Sequence, residues 1–275
     1  MADNVSCGLS APRLLMVLDL CPNHLSGLEY LSEMTNETKL AVLIDGDNIP
    51  SKYIKEMMEE IAKYGTPTIK RIYGDWTNPR VSKWKDVLLE TAITPIQQYS
   101  YTSGKNATDS AMIIDAMDVL YSDKVDGFCL VSSDSDFTKL ATRLREAGMK
   151  VYGIGEKKTP NPFIVACDKF IYLEILHEEE HDKGVKGNSS KRQVDKITPQ
   201  VLRLLKNSVS GAADEDGWAF MGDVGSLILK KQPNFDSRNF GFEKLTPLFG
   251  SLKQFEVDAR AQSGGKFKVI YVRNK

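Results

Sequence analysis

From Leu40 to Leu173, short apolar runs alternate with stretches of helical periodicity, and few folds accommodate that order. Strands are expected at Leu40–Ile44, Thr68–Tyr73, Ile93–Tyr99, Gly127–Val131 and Lys150–Ile154, with Phe170–Leu173 as a last one. Helices are expected between them, at Ser51–Tyr64, Val81–Thr91, Asp109–Tyr121 and Phe137–Ala147. Parallel neighbours need a crossover of about this length, so the pattern predicts βαβ units and a parallel sheet of the α/β class. Residues 1–36 lack either period and are read as an extension without a fold of its own, with Met34 standing just ahead of the patterned sequence.

The segment His177–Arg192 (HEEEHDKGVKGNSSKR) is charged, holds Gly and Ser, and has no periodic apolar positions, which is the composition of a linker. The division is therefore 37–175 for a first domain, 176–194 for the linker and 195–275 for a second, smaller domain. In the latter, helices at Ile197–Lys206, Val224–Lys231 and Phe242–Leu252 precede a hairpin of Phe255–Ala259 and Phe267–Val272, the order of a winged helix. The apolar elements of the first core all precede the linker, so a chain ending near Leu176 is expected to fold alone.

Composition narrows the class without naming a function. Apolar residues are 41% and charged residues 27%, the balance of a folded, water-facing protein. The net charge of −1 hides an excess of +4 between Asp195 and Lys275, where 13 Lys and Arg face 9 Asp and Glu, a bias that favours a nucleic-acid partner. The four cysteines (Cys7, Cys21, Cys129, Cys167) are far apart and histidines number three, which indicates neither a zinc site nor a disulfide framework and suits a cytoplasmic location. No apolar run reaches the roughly 18–20 residues that span a bilayer, so no membrane partner is expected.

The chemistry lies in acids at strand ends. Leu40–Ile44 runs into Asp45-Gly46-Asp47-Asn48, and Phe128–Val131 runs into Ser132-Ser133-Asp134-Ser135-Asp136. Ligands of open parallel sheets bind beyond the carboxyl ends of the strands at the switch point, so the two clusters should converge. Each acid also has a plain structural reading. Asp47, Asn48, Ser51, Ser135 and Asp136 are all suitable helix caps, whereas Asp45 and Asp134 come straight off the strands and stand too early to cap. Asp109 sits near a helix start, where the dipole favours a carboxylate in any case. Asp115 and Asp118, three residues apart, belong by default to a solvated helix face, Asp115 being the better functional candidate.

Carboxylates without His or Cys suit Mg2+ or Mn2+, and phosphodiester hydrolysis is the chemistry such a site serves. Asp45-Gly-Asp47 after a strand is also where an aspartyl-phosphate phosphatase keeps its nucleophile, but Ile49-Pro50 occupies the place of the usual Thr or Val. Asp134-Ser-Asp-Phe-Thr starts like an EF-hand loop, yet Lys139 stands where the Gly is required. Gly153-Ile-Gly155 lacks the third Gly of a dinucleotide fingerprint.

Taken together, LAVLIDGDN (Leu40–Asn48), KNATDSAMIIDA (Lys105–Ala116) and LVSSDSDFTKLATRLREAG (Leu130–Gly148) resemble the NYN domain, a PIN-like nuclease family. The resemblance spans about Leu40 to Leu173. It implies a Rossmann-like sheet, RNA as substrate, and Asp45, Asp109, Asp134 and Asp136 as catalytic acids that bind Mg2+ or Mn2+, with Asn48 and Asp115 in support. The family commonly has Gly where Asn106 and Ser135 stand, residues that also tolerate turns. Further on, Phe235–Leu245 (FDSRNFGFEKL) through Phe255-Glu-Val257 is similar to the OST-HTH/LOTUS domain, which implies RNA binding or docking of a protein partner on a winged-helix scaffold. A catalytically silent RNA-binding adaptor is the other reading of the same pair of domains.

Trp76, Arg80 and Lys83 mix aromatic and basic groups as a single-strand RNA platform would, while Trp84 is expected to pack behind its own helix. Lys105 is placed to neutralise phosphate. In the second domain, Phe240, Phe242, Leu245, Leu248 and Phe249 are expected in the core because their spacing is near-helical.

Overall fold

The computed structural model describes residues 37–77, 84–99, 107–176, 194–261 and 268–275. The proposed N-terminal extension, most of the linker, and Arg80, Lys83 and Lys105 lie outside the described residues.

Six parallel strands form one sheet: β1 (Lys39–Asp45), β2 (Thr66–Gly74), β3 (Thr94–Gln97), β4 (Gly127–Val131), β5 (Lys150–Gly155) and β6 (Lys169–Tyr172), in the order β3-β2-β1-β4-β5-β6. The order reverses between β1 and β4, the two strands whose ends carry the acids. Both are apolar throughout because both faces are covered, and Leu40, Val42 and Ile44 point into one core while Ala41 and Leu43 point into the other.

Helices α1 (Ile54–Ile61) and α2 (Lys85–Thr91) cover one face, and α3 (Ala107–Tyr121), α4 (Thr138–Glu146) and α5 (Asn161–Ala166) cover the other. Right-handed crossovers on either side of the switch point require this division. In α1, Ile54, Met57 and Ile61 form the inward stripe at i, i+3, i+7, and Trp84 fills the same core with its indole N–H on the Ile49 carbonyl at 3.3 Å. The edge strand β3 is shorter than the expected Ile93–Tyr99. The last strand ends one residue early because Leu173 begins a one-turn helix, α6 (Leu173–Leu176).

The second domain runs α7 (Pro199–Ala212), β7 (Ala219–Phe220), α8 (Met221–Lys231), α9 (Leu245–Ser251), β8 (Phe255–Ala261) and β9 (Lys268–Asn274), with the antiparallel order β7-β9-β8. Leu248 and Phe249 are buried, and Phe240, Phe242 and Leu245 pack against them. The third helix starts at Leu245 instead of Phe242, after a 3-10 turn at Ser237–Phe240 that Gly241 ends with φ +81°.

The two domains are joined by more than a linker. Phe170 on the edge strand β6 donates its N–H to the Pro233 carbonyl at 2.9 Å, and Asn234 Nδ2 donates to the Tyr172 hydroxyl at 2.8 Å. Arg238 donates a two-pronged pair of bonds, each 2.9 Å, to the carboxylate of Glu60 at the end of α1. Lys157 reaches Asp195 at 3.2 Å. Residues 38–275 form one compact unit. This seam bears on the expectation of an independent first domain: a chain cut near Leu176 would leave the Phe170 N–H without its acceptor and Glu60 without Arg238, with only Lys63 and Tyr64 still bonded to its carboxylate.

Candidate metal centre

Strand β1 delivers Asp45 to the switch point almost fully excluded from solvent, at 1% exposure. Gly46 follows because β2 passes too close for a side chain: its N–H donates to the Tyr73 carbonyl at 2.8 Å, and a Cβ there would lie 2.9 Å from that oxygen. Asp45 Oδ2 accepts from Asn48 Nδ2 at 2.7 Å and from the buried Ser132 hydroxyl at 2.8 Å, and Oδ1 accepts from the Asn48 N–H at 3.3 Å. Burial pushes its pKa up, and the bonds from Asn48 and Ser132 only partly restore it.

Asp134 and Asp136 leave the end of β4, and Asp109 sits in the first turn of α3. One oxygen from each of these three carboxylates lies within 4.8 Å of the others. Asp134 is half-buried and also caps the 3-10 turn Ser135–Phe137, accepting from the Asp136 N–H at 2.9 Å. Its place directly off the strand therefore does not exclude capping. The side chain closes a tight turn with one oxygen, and the turn brings Asp136 alongside.

The electrostatics of Asp109 follow from this crowding. Burial, then the charges of Asp45, Asp134, Asp136 and Asp47, all push its pKa upward, to about 6. Four carboxylates raising a fifth is an arrangement that a divalent cation relieves. Asp47 adds a mechanical link, since its Oδ2 accepts from the Thr108 hydroxyl at 2.9 Å and so ties the β1 loop to the start of α3.

The structure brings together Asp109, Asp134 and Asp136, with Asp45 and Asn48 directly behind. Asp115 stands apart: Arg71 and the Tyr73 hydroxyl of β2 hold its two oxygens, which binds α3 to the sheet. Trp76 is half-buried against the first core, with its indole N–H on the Ile96 carbonyl at 3.0 Å. Sequence reasoning passed over Ser132 and Thr108. The signal for Ser132 was present, because aligning the two strand ends places it opposite Asp45.

Residues 39–174 match the NYN domain family and residues 192–267 match the OST-HTH/LOTUS domain family. An uncharacterized protein of Methanocaldococcus jannaschii is 28% identical over 131 residues, 46% of this chain, and the match spans 51% of that relative's length. Among solved structures, a protein of unknown function from Vibrio parahaemolyticus is 20% identical, with a TM-score of 0.41 over 50% of this chain and 93% of its own. An uncharacterized protein from Nitrosomonas europaea is 27% identical, with a TM-score of 0.28 over 34% of this chain and 90% of its own. Among the described residues no helix is long and apolar enough to cross a membrane.

Proposed function

We propose that this chain, which belongs to the NYN-domain proteins and carries an OST-HTH/LOTUS domain behind its nuclease-like fold, is a metal-dependent ribonuclease acting on single-stranded RNA. The observation that carries the reading is the meeting of Asp109, Asp134 and Asp136 at the switch point, beside the buried Asp45. The donors are all carboxylate oxygens, the set that suits Mg2+ or Mn2+ over zinc or copper. Asp109, Asp134 and Asp136 would hold the ion, with Asp45, kept in place by Asn48 and Ser132, completing the negative field. A bound divalent cation supplies Lewis-acid activation of water and neutralises charge that develops on the phosphodiester.

The rest of the chain binds and orients. The second domain contributes RNA affinity, and Lys105, Arg80 and Lys83 are the basic groups we assign to the RNA strand from their place in the sequence. Trp76 belongs to the same path, as a wall more than a free stacking ring, because its indole N–H is already bonded to the sheet edge. The same second domain is the place for a protein partner. The cytoplasm is the compartment that suits the buried free thiols of Cys129 and Cys167.

Purified protein incubated with end-labelled single-stranded RNA should cleave it with Mn2+ or Mg2+ and stop when EDTA is added. Binding of the RNA without cleavage under either ion would replace this reading with that of a silent adaptor.

A further inference from the structure

Ser132 is the first residue beyond β4 and is fully buried. The parallel register pairs Ile44 with Val131, so the next residue on each strand, Asp45 and Ser132, face one another across the switch point. The Ser132 hydroxyl gives its proton to Asp45 Oδ2 at 2.8 Å and accepts the backbone N–H of Asp134 at 3.1 Å. A single oxygen thus links the carboxylate at the end of β1 to the main chain of the loop that carries two of the three clustered acids. Since its proton is directed at Asp45, Ser132 has none to offer a substrate.

The loop is held at a second point. Ser133 Oγ accepts the Glu156 N–H at 2.9 Å, and the Ser132 N–H bonds to the Ile154 carbonyl at 3.0 Å. Beside it, Gly155 is needed, since a Cβ there would stand 2.5 Å from the Ser132 carbonyl oxygen. Of these contacts only the Ser132 hydroxyl touches an acid of the centre, and it does so on the carboxylate with the least access to water.

We infer that Ser132 is a positioning residue: through Asp45 and the Asp134 N–H it sets the spacing of the clustered carboxylates, and hence the affinity of the centre for a divalent cation. The inference rests on the metal-centre reading above. Without the hydroxyl, Asp45 loses one of its two strong donors and the Asp134 N–H its acceptor. The loop can then relax by the few tenths of an ångström that separate a ligand set from a patch of acids.

The test is Mn2+ binding to the full chain without RNA, followed by the loss of the free-ion electron paramagnetic resonance signal. The wild type should bind, and Ser132→Ala should bind about 10–100-fold more weakly, the usual effect of removing a group that orients ligands. Ser135→Ala, an exposed hydroxyl between the two acids, should bind like the wild type. If Ser132→Ala does not fold, Ser132→Cys keeps the shape with a poor hydrogen bonder and should show the same weakening. Wild-type affinity in either Ser132 variant, or equal weakening in Ser135→Ala, overturns the positioning role while leaving the centre intact. A wild type that binds no Mn2+ overturns the metal-centre reading itself, and this role with it.

Discussion

Asp45 and Glu60 are both carboxylates on the first domain and both nearly inaccessible, at 1% and 2% exposure, yet their surroundings act in opposite directions. At the seam, burial alone would raise Glu60, but the Arg238 fork, then Lys63 and Tyr64, overcome it and hold the pKa at about 2. At the switch point, Asp45 receives only neutral donors, faces Asp47, and is raised. A buried acid whose cation comes from the chain is a structural joint. One surrounded by further acids keeps a demand for positive charge that an ion from solution can meet.

The sharpest way to break this contrast is to remove one acid from the centre. Asp134→Asn should abolish RNA cleavage in Mn2+ while the melting temperature in EDTA stays equal or rises, because one charge leaves a mutually repelling group. Retained cleavage, or a protein that no longer folds, would show that Asp134 serves the turn it caps and not an ion.

At the seam the opposite should hold. Arg238→Ala leaves Glu60 inside with Lys63 and Tyr64 alone, and breaking a buried pair on one side costs about 3–5 kcal/mol. For a folded body of this size that lowers the melting temperature by roughly 6–15 °C. Mn2+ affinity should be unchanged, since Arg238 touches no acid of the centre. A wild-type melting temperature would make the seam an incidental contact.

Acid should separate the two regions in a single titration of chelator-treated protein. Asp109 titrates at about 6 in the fold against 3.8 ordinarily, so the native state binds more protons over that interval and this group adds stability as pH falls from about 6 to about 4. Glu60 lies at about 2 against 4.5, so its contribution is complete above about 4.5 and is lost as pH falls towards 2. Denaturant unfolding at pH 7 and pH 5 should show a gain on acidification that is smaller in Asp109→Asn, where Asp45 alone is left to contribute. An equal gain in that variant would mean that the acids do not sense one another.

How much of this was legible in the sequence follows from the distance over which each interaction acts. Strands such as Gly127–Val131 were readable because burial on both faces writes itself as an unbroken apolar run, and the acids were readable because they interrupt it. α5 and β7 were missed, since six and two residues are too few to show a period. Asp115 read as a surface acid because its partners, Arg71 and Tyr73, are more than forty positions away, and Glu60 meets Arg238 across 178. Treating capping and ligation as alternatives also misled, since a carboxylate has two oxygens and Asp134 uses one of them on its own turn.

The smallest effect should come from Asp45→Asn, and it is the finest measure of the contrast. Asparagine keeps the shape, and its one oxygen can take the place of Oδ2, accepting from both Asn48 Nδ2 and the Ser132 hydroxyl. Its amide must then turn toward the Asn48 N–H, where Oδ1 now accepts only a long bond of 3.3 Å. A donor facing a donor there costs little, because the bond it replaces is weak. Against that stands the removal of a buried charge that no cation of the chain compensates, which is favourable. The balance in EDTA should be a stabilisation of about 1 kcal/mol or less, read as a rise in melting temperature of roughly 2–4 °C at most. In Mn2+ the order should reverse, because the wild type gains from binding the ion and the variant gains less. A variant less stable than the wild type in EDTA would mean that the Asp45 charge is already compensated within the fold, and that the switch point and the seam are two joints of the same kind.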